Sequence, residues 1–198
     1  MFDIPEGATP ISAEDRQRLK IKTISTREEL NRWEQENINK AYDWIQKKRS
    51  ITITDEIMLR ELHRQMFGMV WEWAGIYRIT NANIGVEWPQ IAIVLRQFLG
   101  NVSYWIERRV YTEPEIAARF HHGLVQIHLF PNGNGRHARM ACDILMEKHF
   151  RLDPFDWGGN LNVTSDVRNR YIESLRTADK GNFDELYDFL GIEKYGGR

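Results

Sequence analysis

Apolar residues recur along this 198-residue chain mostly at intervals of three and four, a spacing that predicts a mainly α protein. Leu30, Trp33, Ile38, Ala41, Trp44 and Ile45 fall on one face of a first long amphipathic helix, which Ser25 or Thr26 can cap ahead of acidic residues in its first turn. The basic run Lys47-Lys48-Arg49 reads as its solvated end. A second cap at Thr54-Asp55 opens a helix carried to Trp73 by Ile57, Leu59, Leu62, Met66 and Val70. Helical spacing returns over 90–110, 113–127, 135–150 and 165–190, the last span broken at Gly181-Asn182.

The period changes between residues 74 and 88. Ile76-Tyr77-Arg78-Ile79-Thr80 and Ile84-Gly85-Val86-Glu87-Trp88 flank Asn81-Ala82-Asn83, and two extended segments around an asparagine turn predict a small β-hairpin. A two-stranded ribbon is marginal alone, so it has to lean on the helices. Pro5, Gly7 and Pro10 predict an irregular lead-in before the first helix. The expected architecture is one compact, mainly α domain with no internal repeat.

Composition narrows the function classes. With 27 basic against 28 acidic side chains, no global field favours nucleic acid or an anionic membrane, and any basic site has to be local. No apolar run approaches the roughly 18 residues of a membrane span. The first residues, MFDIPEGATPISAEDRQ, show neither a basic nor an apolar leader region, so the expectation is a cytoplasmic protein. A single cysteine, Cys142, excludes an intramolecular disulfide and a cysteine-based zinc cluster. His121, His122 and His137 lack spaced carboxylate partners and give no transition-metal signature.

Chemistry concentrates in residues 128–139, HLFPNGNGRHAR. The chain leaves a helix at His128, turns through Pro131-Asn132-Gly133-Asn134-Gly135 and re-enters a helix at Arg136, a shape that lets the backbone approach a ligand closely. Unpaired N–H groups at that second helix start attract an anion, and Arg136 and Arg139, three apart, can each fork onto phosphate oxygens. A neutral His128 at the loop edge can accept a proton. A tight interhelical turn with no ligand is the competing reading of the same residues.

The string resembles the signature of the Fic family: His128, Phe130, position 132, Gly133-Asn134-Gly135-Arg136 and Arg139 match in spacing, and all but position 132 match in type. Trp73-Ala74-Gly75 with Arg78 is similar to the family's entry to its flap, and Tyr171 to Leu190 to its last helices. The overall form resembles the short bacterial subgroup called mobile mystery protein B. The resemblance implies a Fic-like helical bundle with a small β-hairpin flap, and an enzyme that moves AMP from ATP onto a Tyr, Thr or Ser hydroxyl of a target protein. Residues 51–198 would form the catalytic core, and residues 1–50 the lead-in and a candidate inhibitory helix.

Carried over position by position, His128 deprotonates the target, while Gly133, Asn134, Gly135, Arg136 and Arg139 hold the phosphates. Ile84 and Gly85 contact the target from the flap. Position 132 holds the family's acidic magnesium ligand; here it is Asn132, which lacks the charge that helps to strip water from Mg2+ and predicts weakened metal affinity. Inhibition in the family comes from a helix-borne Glu paired with the second signature arginine. Glu36, followed by Asn37, is the candidate, although Arg32 stands where the motif has a hydroxyl; Ser25 with Glu29 has the spacing but continues with Leu30. Other readings of the same site are a nucleotide-binding or partner-binding module with altered chemistry, phosphate transfer included, and the toxin half of a toxin–antitoxin pair, with an antitoxin or self-association as partner.

Overall fold

The computed structural model describes residues 16–159 and 166–195; the lead-in with Pro5, Gly7 and Pro10, and the expected helix start at Ser165, lie outside the described residues. Seven helices carry the fold: α1 (Arg27–Gln46), α2 (Glu56–Phe67), α3 (Ile91–Arg108), α4 (Glu113–Ile127), α5 (Asn134–Ile144), α6 (Asp166–Asp179) and α7 (Asp184–Leu190). Wider turns over Leu145–Phe150 prolong α5. Local chemistry sets the starts. Thr26 caps α1 in a box with Glu29, Asp55 accepts from the Met58 N–H at 3.0 Å, and Thr112 boxes with Glu115.

Helix α4 lies at the centre, against α3, α5, α6 and α7. Its residues are buried on nearly every side, from Ile116 and Phe120 to Leu124 and Ile127, because neighbours cover it all round. Helices α1 and α2 pack together, and α2 rests on α5 and α3. Buried Asn37 sets their register: its amide donates to the Gln65 carbonyl at 2.6 Å and accepts the Met69 N–H at 2.8 Å, satisfying the C-terminal end of α2.

Two expectations are corrected. Helix α2 ends at Phe67, because Gly68 closes it and the Phe67 carbonyl accepts from both Val70 (3.0 Å) and Trp71 (2.9 Å). The freed segment then makes an isolated antiparallel bridge between Leu19 and Trp71. Residues 76–87, expected as a hairpin, form a loop without paired strands. Its carbonyls at Thr80 and Val86 accept from the Arg78 guanidinium, and the Asn81 side chain closes the base through Glu87 (2.8 Å) and the Trp88 N–H (3.1 Å). Cross-strand pairing loses these partners to side chains.

Candidate active site

Helix α4 ends at His128, whose backbone is left-handed (φ 57°) and whose N–H reaches the Leu124 carbonyl at 3.2 Å. Arg109 and Arg151 end their helices in the same conformation, so this geometry marks a helix stop rather than a strained centre. The His128 ring is buried. Burial first, and then the Arg78 charge, push it down to about 4 against a hydrogen bond with the Val125 backbone, so the imidazole is neutral at physiological pH.

The loop after His128 is held from inside. Asn134 closes it with two bonds to Phe130, its Oδ1 accepting the N–H at 2.9 Å and its Nδ2 donating to the carbonyl at 2.7 Å. The Phe130 ring is fully buried and stacks on His63 at 3.7 Å between centroids. His63 is itself a bridge: its Nδ1 accepts the Gly75 N–H at 2.9 Å, which leaves Nε2 to donate to the Asn132 carbonyl at 3.1 Å. Burial holds His63 neutral, well below the ordinary histidine range. Gly133 has φ +78°, and a Cβ there would lie 2.6 Å from the Phe67 ring, so both conformation and space demand glycine.

Helix α5 starts here. Its first internal bond runs from the His137 N–H to the Gly133 carbonyl at 2.9 Å, so the N–H groups of Asn134, Gly135 and Arg136 precede the helical ladder at the positive end of the dipole. Arg139 folds back along α5, its Nη1 3.8 Å from where a Cβ on Gly135 would stand, with its guanidinium 5.7 Å from the Tyr171 ring centre. Arg136 lies over the Phe67 ring at 4.8 Å and pairs at 2.6 Å with the Glu34 carboxylate. Glu34, buried on α1, also accepts the Trp71 indole N–H at 2.7 Å. The structure thus brings together His128, the loop and both arginines.

Other expected residues lie elsewhere or act differently. Glu36 is exposed and pairs with Lys40 at 2.8 Å; the carboxylate of α1 that reaches the site is Glu34, one turn before Asn37, and it meets the first signature arginine instead of the second. Ile84 is 49% exposed on the 76–87 loop, whereas Gly85 is packed against His128. The Asn134 amide is spent inside the loop, leaving its backbone for an anion. Asn132 offers one amide oxygen, and that oxygen accepts the Gly133 N–H at 2.6 Å. Among the described residues no group of three or more His, Cys, Asp or Glu side chains could hold a metal. The residues do not fit a protein-held Mg2+.

Residues 53–146 match the model of the Fic/DOC family. The chain carries a Fic/DOC family domain. It is 36% identical over 151 residues to the protein adenylyltransferase Fic of Nematostella vectensis, an alignment that takes 74% of this chain and 33% of that relative; the chain spans about a third of the relative's length. The N-terminal Fic domain of the Bep8 protein of Bartonella sp. 1-1C has the same fold, with TM-score 0.68, 18% identity and 88% of each chain covered. BepC of Bartonella tribocorum, crystallised with AMPPNP bound, superposes with TM-score 0.67 at 19% identity, over 94% of this chain and 93% of that one.

Around this site three positions carry no signal in the sequence. Glu34 looks like any charged residue of an amphipathic helix, and its neighbour Trp71 is 37 positions away. His63 carried no motif. Arg78 was noted only as part of the flap entry, and nothing in sequence marks it as buried.

Proposed function

We propose that the chain is a protein adenylyltransferase, moving AMP from ATP to a Tyr, Thr or Ser hydroxyl of a target protein. The observation that carries this reading is a neutral, buried His128 directly before a glycine loop that opens helix α5 beneath two arginines. The α5 N–H groups and Arg139 hold the phosphates, and Arg136 neutralises the outer ones once it leaves Glu34. The target oxygen bonds to the α-phosphorus of ATP and the bond to the bridging oxygen of the β-phosphate breaks. Pyrophosphate leaves and the hydroxyl proton passes to His128. No step runs through a metal held by the protein. The exposed 76–87 loop, with Ile79 at 63% and Ile84 at 49% exposure, supports a role in gripping the target's main chain.

Glu34 takes the inhibitory part expected of Glu36. A carboxylate on Arg136 stands in for phosphate charge, so ATP has to displace it. Incubation with labelled ATP tests both readings: Glu34→Ala is expected to label itself or a lysate protein more strongly than wild type, and His128→Ala not at all. Equal labelling by His128→Ala overturns the assignment of the base, and labelling by no variant overturns the transferase. Asn132 favours one second reading, transfer of a different group at the same site; the intact mass of a modified target separates added AMP from added phosphate.

A further inference from the structure

Arg78, which stands in the stretch similar to the family's flap entry, makes four hydrogen bonds beside His128. It is buried at 4% exposure, yet its hydrogen-bond partners are all backbone carbonyls. Nε donates to the His128 carbonyl at 2.6 Å and Nη1 to Thr80 at 3.0 Å, while Nη2 serves Val86 and, at 3.4 Å, Ile127. Two of these carbonyls close the C-terminal end of α4, where the negative end of the helix dipole gathers, and two belong to the 76–87 loop. The backbone repeats the link, Arg78 N–H to Leu129 at 3.0 Å and Val86 N–H to Ile127 at 3.4 Å.

Gly85 completes the contact. With φ +106°, its backbone rides on the site so closely that a Cβ would lie 2.6 Å from the His128 Cβ and 2.7 Å from Arg78 Nη2. Loop and histidine therefore have no slack between them. A displacement of either moves the other through the guanidinium.

We propose that Arg78 is a positioning residue for the transfer reaction, a clamp that makes the seating of a target segment on the 76–87 loop and the placement of His128 a single event. The inference rests on His128 being the base. A planar fork with five donors serves four carbonyls in two directions, which a lysine ammonium reaches only in part. Misplacement of about 1 Å costs on the order of 100-fold in rate. The nucleotide cradle on α5 takes no bond from this guanidinium and is expected to keep its affinity.

The test compares Arg78→Met, Arg78→Lys and Gly85→Ala with wild type, full-length. Arg78→Met is expected to lower kcat for target labelling about 100-fold with ATP affinity unchanged within about 2-fold, Arg78→Lys to recover part of it, and Gly85→Ala to reproduce the loss with Arg78 present. A second readout needs no activity. NMR titration of the His128 ring is expected to move upward from about 4 in Arg78→Met, because the Arg78 charge that opposes its protonation is gone, and amide exchange over 80–86 is expected to accelerate. If neither wild type nor Glu34→Ala transfers anything, the transferase reading falls, while the ring titration and loop exchange still decide the clamp. An unmoved His128 titration and unchanged loop exchange in Arg78→Met and Gly85→Ala overturn it. Should Arg78→Met not fold, Arg78→Lys and Gly85→Ala carry the same comparison.

Discussion

Replacing Glu34 by alanine acts on stability and on nucleotide binding with opposite signs. The Glu34 side chain is 4% exposed, its partner Arg136 19%, and the two are 2.6 Å apart. Truncation leaves the Trp71 indole N–H without its acceptor, a loss of about 1–3 kcal/mol. Removing one member of a fully buried pair costs about 3–5 kcal/mol. Arg136 can reach water here, so about 2–3 kcal/mol is the expected sum, or a Tm lower by roughly 5–10 °C for a chain of this size. The same change frees Arg136. If ATP otherwise has to break a charge-assisted bond of about 1.5–3 kcal/mol, affinity rises roughly 10- to 150-fold. Glu34→Gln keeps an acceptor for the indole and most of the packing, so it should hold most of the affinity gain with a smaller Tm loss. Calorimetric titration of ATP beside thermal melts gives both quantities. ATP affinity unchanged within about 2-fold in both variants, with Tm reduced, would refute the competition and leave Glu34 as a structural ion.

Three further outcomes are expected. His128 and His137 are both pushed down to about 4, and His63 and His121 well below their usual range, so the unfolded chain binds protons that the fold does not. Stability is then full above about pH 6.5 and falls as pH drops towards 4, by roughly 2–3 kcal/mol for each of His128 and His137, with His63 and His121 acting in the same direction; a flat Tm from pH 6.5 to 4.5 would contradict this. Burial, with the Glu147 charge, raises Asp143 to about 7, while Trp157 donates to it at 2.9 Å. The unfolded carboxyl ionises near 4 and the folded one only near 7, so stability is lost as pH climbs from about 4 to 7 and is level above that; Asp143→Asn should gain about 2–4 kcal/mol at pH 8, less than half of that at pH 5 and nothing below about pH 3.5, and equal gains at pH 8 and 3.5 would remove the charge as the cause. Gly133→Ala has to fit a Cβ 2.6 Å from Phe67 at φ +78°, and is expected to lose about 1–3 kcal/mol and more than 10-fold in ATP affinity, by melts and calorimetry; an unchanged Tm would mean the loop is free to shift.

Much of the helical layout was legible because capping and periodicity are local. The cap at Thr26, one of the two residues offered for it, and the break at Gly181-Asn182 stand where the pattern put them, and Asn182 indeed accepts the Asp184 N–H at 2.9 Å. Beside the local causes, the overextended α2 and the expected hairpin share a distant one. Val70 and Val86 suit their local patterns, but their backbone groups are claimed from far along the chain, the Val70 carbonyl by the Lys20 N–H and the Val86 N–H by the Ile127 carbonyl. No window of neighbouring residues contains that information.

The loop after His128 divides the same way. His128, Gly133 and the two arginines announce themselves by spacing, since a tight turn into a helix start needs those residue types adjacent in sequence. By itself the sequence thus determined the helical class, the glycine turn into α5 and the position of its histidine. Only the tertiary structure decided the charge environment around them: that Glu34, not Glu36, meets an arginine, that this arginine is Arg136, that Asn132 turns its oxygen onto Gly133, and that Arg78 ties the loop to His128. Those outcomes depend on which faces α1, α2 and the 76–87 loop present to α4 and α5. Burial, which sets how strongly each charge acts, exists only once the helices have packed.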